Sequence, residues 1–317
     1  MSEFDLIRRY FTRTTPGTLL GVGDDAALLQ VNEGNVLAVS TDMLVSGTHF
    51  LPDDDPFLLG HKALAVNLSD LAAMGAVPRW ATLALALPNA DEAWLAQFSA
   101  GFFSLAQQHG VDLVGGDTTR GPLNLCVTIF GEVPAQQALR RDGAQPGDEV
   151  WVSGTLGDAA LALAQLQQKV VMPEAEFEVC ARALRQPQPR VALGLALRGI
   201  ANSSIDISDG LLADLGHILD ASKVGAQLEF GALPVSTVVR VYLQQPLGRQ
   251  CVLCGGDDYE LCFTSAAGNH AEILRISERL GLPLTCIGRI VVGHDCQVHD
   301  AAGNPVIVEA CGYDHFR

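Results

Sequence analysis

Aspartates recur beside glycine or serine at six places along the chain. They lie in Gly21-Val-Gly-Asp-Asp25, Ser40-Thr-Asp42, Asn67-Leu-Ser-Asp70, Gly115-Gly-Asp117, Ile205-Asp-Ile-Ser-Asp-Gly210 and Gly255-Gly-Asp-Asp-Tyr-Glu260. Most of these segments follow apolar, β-branched stretches, so we expect the carboxylates at the ends of buried strands. Carboxylates gathered in one place repel one another unless they take up protons or bind cations. An all-oxygen ligand set favours Mg²⁺ or Mn²⁺, so the pattern predicts magnesium-dependent chemistry on a nucleotide.

Each aspartate also has a simpler explanation. Asp beside Gly is a common way to close a turn, and any one of these residues alone is structural more often than catalytic. Asp209 illustrates both alternatives: with Ser208 it either caps the helix that follows or binds a metal beside that helix N-terminus. Six such segments, spread over both halves of the chain, favour the metal interpretation.

Familiar nucleotide-binding motifs are missing from the sequence. There is no G-x-x-x-x-G-K followed by Ser or Thr, and no protein-kinase set of glycine loop, paired lysine and H-R-D. If the chain binds a nucleoside triphosphate, metal ions must make most of the phosphate contacts. Arg120 and Arg141 are candidates for the remaining contacts, although each arginine could equally form a surface ion pair. His49 and Tyr313 are further candidates for substrate contact, but a single histidine or tyrosine usually belongs to the packing.

Charge and composition exclude some classes of partner. The net charge is −16 and the 317 residues include only three lysines, which argues against nucleic acid or an anionic membrane as partner. No apolar run approaches membrane-spanning length, and no apolar signal core follows Met1. We therefore expect a cytoplasmic protein whose eight cysteines are reduced thiols.

Cys251-Val-Leu-Cys254 has a spacing known from zinc and redox sites. Either function needs a second ligand pair or a helix start after the first cysteine. The sequence of this segment is typical of a strand, in which positions three apart face opposite sides. We therefore expect two separate buried thiols there.

Apolar periodicity predicts the order β-β-α-β-α-β-β for the first half. The predicted elements are a hairpin of strands 26–31 and 35–42, a helix over 56–74, a strand over 79–87, a helix over 91–108, and strands over 111–114 and 123–133. On the first helix, Asn67 and Asp70 are three residues apart and share a face. This order predicts an N-terminal domain over residues 1–137, with helices packed on one face of a mixed sheet.

The segment 134–147 is rich in polar residues, Gly and Pro, and is the best candidate domain boundary. A C-terminal α/β domain over residues 138–317 follows. Its predicted strands lie at 148–153, 204–207, 251–254, 259–264, 284–291 and 296–299, and its predicted helices at 157–168, 174–185, 190–199, 209–221 and 269–280. Ser153-Gly-Thr-Leu-Gly-Asp158 lacks the full glycine spacing of a dinucleotide fingerprint, so we expect a strand-to-helix turn there.

Taken together, the six segments resemble the thiamine-monophosphate kinases of the aminoimidazole-ribonucleotide-synthetase-like superfamily. The resemblance extends over nearly the whole chain, from Gly21 to Phe316. The Ser-Thr-Asp and Thr-His-Phe block, the Gly-Gly-Asp-Thr-Thr segment and the terminal Gly-Tyr-Asp-His-Phe look specific to the kinases. The resemblance implies the two-domain α/β (α+β) fold of aminoimidazole ribonucleotide synthetase and a homodimer in which the N-terminal sheets of two subunits join.

The same resemblance implies Mg²⁺- and ATP-dependent phosphorylation of thiamine monophosphate to thiamine diphosphate, without a phosphoenzyme and with several metal ions. It implies metal ligands at Asp25, Ser40, Thr41, Asp42, Asp70, Asp117, Asp206 and Asp209, ATP contacts at Gly116, Asp117, Arg141 and Ser208, and acceptor contacts at His49, Asp257 and Tyr313. Asp257 replaces a glutamate common in the family, which keeps the charge and shortens the reach. No side-chain base is assigned, because the attacking phosphate oxygen is already ionised.

Two other kinds of protein remain as alternatives. One is another ATP-dependent enzyme of the superfamily, a selenophosphate or aminoimidazole ribonucleotide synthetase. A selenophosphate synthetase typically has a reactive Cys or selenocysteine near its N-terminus, and the first cysteine here is Cys126. The other is a non-catalytic nucleotide- or metal-binding regulator, in which some metal aspartates are expected to be lost.

Overall fold

The structure is a computed structural model that describes residues 3–308. Its N-terminal elements are α1 Glu3–Leu6, β1 Asn35–Val45, α2 Pro56–Ala73, β2 Val77–Leu87, α3 Glu92–His109, β3 Asp112–Arg120 and β4 Asn124–Pro134. The two long helices begin and end at the expected residue types. Asp91 caps α3 by accepting hydrogen bonds from the amides of Ala93 and Trp94, and Gly110 closes that helix with a φ of 64°.

The four N-terminal strands form a sheet in the order β1-β4-β2-β3. β4 pairs antiparallel with β1 and β2, whereas β2 and β3 are parallel. Leu125, Val127 and Ile129 of β4 are buried on one face, while the residues between them are only partly buried. One face of this sheet therefore packs against the core, and β1 and β3 are its edges.

The predicted N-terminal hairpin is wrong. β1 pairs with β4 and not with residues 26–31, which form no named strand; Leu28 makes an isolated bridge with Leu20. The alternation of apolar and polar residues over 26–31 predicted a strand with one buried face. Leu28 is 56% exposed, so the segment has no such face. The observed order after α1 is β-α-β-α-β-β, one strand fewer than predicted.

The C-terminal elements form a second sheet with the strand order β10-β7-β9-β5-β8-β6. They are β5 Glu149–Ser153, α4 Asp158–Leu166, α5 Glu174–Arg185, α6 Val191–Ala196, β6 Ser203–Asp206, α7 Leu211–Ser222, β7 Gly225–Glu229, α8 Thr237–Tyr242, α9 Pro246–Cys254, β8 Leu261–Ser265, α10 His270–Leu280, β9 Leu284–Val291 and β10 Cys296–His299. Leu211, Leu215 and Ile218 of α7 lie in the core of this part. The predicted turn between β5 and α4 is confirmed, whereas β7 and α8 were not predicted.

Contacts divide the chain into two units, one of Met1–Leu71 with Ala76–Gln136 and the other of Ala72–Gly75 with Gln137–Arg317. The second unit takes the last residues of α2 and the turn after it. In that unit the amide of Leu139 donates a hydrogen bond to the carbonyl of Met74. No helix among residues 3–308 combines the length and apolar character needed to cross a bilayer.

The strand predicted for Cys251-Val-Leu-Cys254 is wrong, because these residues form the end of α9. Pro246 begins that helix, where its fixed φ is favourable, and a short apolar run does not distinguish a helix from a strand. Cys251 is a buried free thiol, as expected, but Cys254 is disulfide-bonded. The expectation that all cysteines are reduced therefore fails at Cys254.

Candidate active site

Asp42 and Asp70 lie together, although one belongs to a strand and the other to a helix. Asp42 is in the interior of β1, not at a strand end as predicted, and Asp70 is on α2. The hydroxyl of Ser40 donates a short hydrogen bond to the carboxylate of Asp70. Since residues 40 and 42 are two apart on β1, both side chains face the helix. The structure thus brings three of the predicted metal ligands together.

Burial, the charge of Asp70 and a hydrogen bond to that carboxylate raise the pKa of Asp42 to about 7. Two ionised carboxylates this close repel each other, and the repulsion is relieved when one takes up a proton or a cation binds between them. Asn67 fixes the strand beside them: its side-chain oxygen accepts a hydrogen bond from the amide of Asp42, at 3.2 Å, and its amide donates to Ala63. The shared helix face predicted for Asn67 and Asp70 is confirmed by these contacts.

This arrangement suits a hard divalent cation. Carboxylate and hydroxyl oxygens are the ligands that Mg²⁺ prefers, and Mg²⁺ leaves several of its positions to water and phosphate. Among residues 3–308, no group of three or more His, Cys, Asp or Glu side chains is placed so that it could hold a metal ion by itself. The pair Asp42 and Asp70 therefore fits a metal shared with a phosphate ligand better than a closed structural site.

Asp25 and Asp117 belong to other segments than this pair. Asp25 is exposed, and its amide donates a hydrogen bond to the side chain of Asp24. Asp117 is exposed in the interior of β3, in register with Ala84, which again differs from the strand end predicted. Gly116 beside it has a φ of 147°, and a Cβ there would lie 1.9 Å from the carbonyl oxygen of Leu83, so only glycine allows this approach.

Thr41 and His49 are fixed by other contacts. The hydroxyl of Thr41 bonds to that of Thr128 at 2.9 Å, on the face of β1 opposite Asp42, so its side chain is not turned toward the pair. The Thr41 hydroxyl therefore lies on the other side of the strand from a metal held by Asp42 and Asp70. The ring Nδ1 of His49 accepts a hydrogen bond from the amide of Val45 at 3.0 Å, which places the proton of a neutral ring on Nε2.

A second group of predicted residues lies between β6 and α7. Asp206 is the last residue of β6 and is buried, whereas Ser208 and Asp209 are half-buried in the turn that follows. The capping role considered for Asp209 is wrong, because α7 has Gly210 at its N-cap and no side-chain cap. Asp214 fixes the turn before the helix instead: its carboxylate accepts hydrogen bonds of 3.0 Å from the amides of Ser208, Asp209 and Gly210.

The turn after β6 is paired with the segment that contains Asp257. The amide of Asp257 donates to the carbonyl of Ser208 at 2.9 Å, and the amide of Tyr259 donates to the carbonyl of Ile207 at 2.8 Å. A Cβ on Gly256 would lie 2.3 Å from the oxygen of Ser208, so the two segments approach as closely as backbones can. The structure thus brings Ser208, Asp209 and Asp257 together.

The arginines and Tyr313 complete the predicted set. Arg141 is exposed, and its carbonyl accepts a hydrogen bond from Ser222. Arg120 lines a cavity of about 450 Å³ together with Thr118 and Thr119. Tyr313 lies outside the described residues.

Sequence reasoning missed Asp214 and Tyr259. Asp214 is 3% exposed, and burial raises its pKa to about 7 against the opposing effect of its backbone hydrogen bonds. The sequence does contain a signal for Asp214. An aspartate in the first turn of an apolar helix, four residues after Gly210, can accept hydrogen bonds from the amides that precede that helix. Nothing in the sequence indicated that the hydroxyl of Tyr259 would reach Asp257.

Comparisons with known proteins identify the family. Residues 23–133 match the family model "AIR synthase related protein, N-terminal domain", and residues 145–301 match its C-terminal counterpart. The thiamine-monophosphate kinase of Escherichia coli K12 is 48% identical over 320 residues, which cover 99% of this chain and 98% of that protein. The chain belongs to the thiamine-monophosphate kinase family. The family member from Haemophilus influenzae is 44% identical, over 100% of this chain and 98% of its own length.

Solved structures agree with this membership. The thiamine-monophosphate kinase of Stenotrophomonas maltophilia superposes with a TM-score of 0.87 at 51% identity, covering 96% of this chain and 98% of that one. AaThiL, complexed with AMPPCP and TMP, superposes with a TM-score of 0.78 at 31% identity, and the match covers 99% of this chain and 96% of that one. The hydrogenase maturation protein HypE of E. coli, at 22% identity, shares the fold alone. The predicted family and the two-domain α/β fold are thereby confirmed.

Proposed function

We propose that the chain transfers the terminal phosphoryl group of ATP to thiamine monophosphate, giving thiamine diphosphate in the last step of its biosynthesis. The observation that supports this most directly is 48% identity to a thiamine-monophosphate kinase over essentially the full length of both chains. A relative at 31% identity binds AMPPCP and TMP, which correspond to the donor and the acceptor of this reaction. Likeness to HypE supports no rival activity, because it extends only to the fold.

The proposal includes the metal and substrate contacts implied by the sequence. Several Mg²⁺ ions would be held by Asp25, Ser40, Thr41, Asp42, Asp70, Asp117, Asp206 and Asp209, with ATP contacted by Gly116, Asp117, Arg141 and Ser208, and the acceptor by His49, Asp257 and Tyr313. The adjacent carboxylates of Asp42 and Asp70 support the metal assignment most strongly, because a bound cation relieves their mutual repulsion.

The chemistry needs positioning and charge neutralisation. Mg²⁺, when bound, lowers the repulsion between the anionic phosphates of donor and acceptor so that one can attack the other in line. The protein's own residues supply the fixed geometry: Asn67 holds the backbone of Asp42, and Asp214 holds the turn of Ser208 and Asp209. No side chain has to remove a proton, because the attacking phosphate oxygen is already ionised.

We further propose that residues 1–137 form the metal- and ATP-binding domain and the dimer interface, and that residues 138–317 form the C-terminal domain. Val39 and Met43 support the homodimer, since each is 54% exposed on the face of β1 that lies opposite Asp42. Apolar side chains in a row on an edge strand favour a protein contact. A cytoplasmic location is part of the proposal, because ATP is the co-substrate.

Product analysis tests this function. Purified protein is incubated with ATP, Mg²⁺ and thiamine monophosphate, and thiamine diphosphate is measured by chromatography. We expect stoichiometric formation of ADP and thiamine diphosphate, with neither formed when EDTA is in excess over Mg²⁺. ATP hydrolysis without thiamine diphosphate, or phosphorylation of a different acceptor only, would reject the proposal.

A further inference from the structure

The segment from Gly255 to Glu260 has an unusual backbone. Among the described residues, four that are not glycine have a positive φ: Gln168, Lys223, Asp257 and Tyr259. Gln168 and Lys223 lie at the ends of α4 and α7, where a left-handed residue is a usual way to stop a helix. Asp257, at 67°, and Tyr259, at 50°, end no helix. Strain of this kind persists only where surrounding contacts enforce it, and it is concentrated at functional sites.

Backbone pairing is the first of the contacts that enforce this conformation. The amides of Asp257 and Tyr259 both donate to the turn after β6, to Ser208 and Ile207. In the other direction, the amide of Ile207 donates to the carbonyl of Glu260 at 2.8 Å. The segment is therefore held on both sides of Asp258 to a turn that is itself fixed by Asp214.

Acidic side chains of the same segment provide further anchors. The carboxylate of Asp258 accepts hydrogen bonds from the amide of Gly157, at 3.0 and 3.1 Å to its two oxygens. Glu260 is 5% exposed and accepts from the hydroxyl of Ser153 and, at 2.6 Å, from Nε of Arg190. Both carboxylates are thus used to hold the segment in place.

Asp257 differs from the other two acidic residues. It is half-buried, and its Oδ1 accepts a hydrogen bond of 3.0 Å from the hydroxyl of Tyr259. Tyr259 itself is only 8% exposed, so the surrounding protein packs around its side chain. A carboxylate whose rotation is restrained by a fixed hydroxyl loses less conformational entropy when it binds a ligand.

We propose that Tyr259 is a positioning residue that orients the Asp257 carboxylate toward the thiamine monophosphate acceptor. This inference rests on the proposed function, in which Asp257 contacts that acceptor. Tyr259 itself does not touch the reacting phosphates; it acts through Asp257. Its loss therefore weakens binding of the acceptor and leaves the binding of ATP unchanged.

Tyr259→Phe is the direct test, because it removes one hydroxyl and keeps the ring. We expect the KM for thiamine monophosphate, and its Kd by calorimetry, to rise by up to about tenfold, the cost of ordering one side chain on binding. The KM for ATP and kcat should stay within about twofold, since neither depends on this bond. Tyr242→Phe is the matched control, because that hydroxyl donates to Glu176 at 3.2 Å, away from this segment. It should leave both KM values unchanged.

A double-mutant cycle separates positioning from general packing. Asp257→Ala should raise the KM for thiamine monophosphate, and adding Tyr259→Phe to it should cause no further increase, because the hydroxyl then has no carboxylate to orient. Additive effects, equal increases in both KM values, or an unchanged KM in Tyr259→Phe would each overturn the inference. If the wild-type protein binds thiamine monophosphate but makes no thiamine diphosphate, the proposed function fails and calorimetry alone decides the role of Tyr259. If thiamine monophosphate does not bind to the wild-type protein, both the proposed function and the role of Tyr259 are overturned.

Discussion

The amide of Asp42 donates a hydrogen bond to the side-chain oxygen of Asn67, so a helix residue fixes the backbone of a strand residue beside the proposed metal. Asn67 is 1% exposed. We expect Asn67→Ala to destabilise the protein by roughly 1 kcal/mol, because the partly buried amide of Asp42 loses its acceptor. The apparent affinity for Mg²⁺ in the kinase assay should also fall.

Urea unfolding and a Mg²⁺ titration of the initial rate measure the two effects. Ser99→Ala is a useful control, since it changes a buried polar residue on α3 whose hydroxyl bonds only to the carbonyl of Ala96 in the described contacts. Loss of stability without any change in Mg²⁺ dependence would show that Asn67 serves only the fold.

Asp42→Asn and Asp70→Asn should each lower kcat by at least about 10²-fold, because a metal that bridges the phosphates loses its anchor. In EDTA we expect the melting temperature of either variant to equal or exceed that of the wild type, since one of two adjacent carboxylates is neutralised. Asp53→Asn, in an exposed loop, is the control. Near-normal rates at limiting Mg²⁺ would contradict the metal assignment.

Asp214→Ala should lower stability by roughly 3 kcal/mol and raise the KM for ATP, because three amides lose their acceptor and the turn of Ser208 and Asp209 loosens. Asp220→Ala, on the exposed side of the same helix, should change neither. Urea unfolding followed by circular dichroism measures the stability, and a titration of the initial rate with ATP measures the KM. Full stability in Asp214→Ala would contradict the role inferred for these hydrogen bonds.

Glu132 should make stability depend on pH. Burial raises the pKa of this carboxyl, but hydrogen bonds from Asn32 and Asn35 and the charge of Arg79 outweigh it and hold the pKa below the ordinary value of 4.5. A lowered pKa means that the carboxylate stabilises the fold above pH 4.5 and stops doing so as the pH falls through the folded-state value.

We therefore expect Glu132→Gln to be less stable than the wild type by about 1 kcal/mol at pH 7, a gap that narrows in acid. Thermal melts at a series of pH values measure it. Exposed Glu33→Gln is the control and should match the wild type throughout. A gap that stays constant down to pH 3 would show that the side-chain charge is not responsible.

The proposed homodimer can be tested on β1. Val39→Glu places a charge on the exposed face of that strand and should convert the dimer to monomer without unfolding it. Light scattering after size-exclusion chromatography gives the mass, and the matched change Val171→Glu, at a residue 87% exposed, should have no effect. A wild-type protein that is monomeric at micromolar concentration would contradict the dimer.

Much of the fold follows from the sequence where local signals are strong. α2 and α3 were predicted within two residues at each end, because capping residues and left-handed glycines mark their boundaries. β1 was misjudged because strand pairing is a long-range property: its partner is β4, about 90 residues away. α9 was misjudged because four apolar residues fit either a strand or a helix.

The candidate site was predictable by residue type but not by arrangement. Spacing on α2 correctly placed Asn67 and Asp70 on one face, since a helix has a fixed period. The opposite orientation of the Thr41 side chain also follows from strand geometry, once β1 is known to continue through Asp42. The hydrogen bonds from Asp214 and Tyr259 depend on backbone turns that no periodicity specifies.

The alternation along β1 has a consequence for how this gene can change. Asp42 and Met43 are neighbours that point to opposite sides of one sheet, the first toward α2 and the second toward solvent. Inserting or deleting one residue between Asn35 and Ser40 would move the preceding side chains of β1 to the opposite face of the sheet. Apolar side chains would then lie on the face of the carboxylates. We expect homologues to tolerate length changes in the segment before Asn35 but not within the strand.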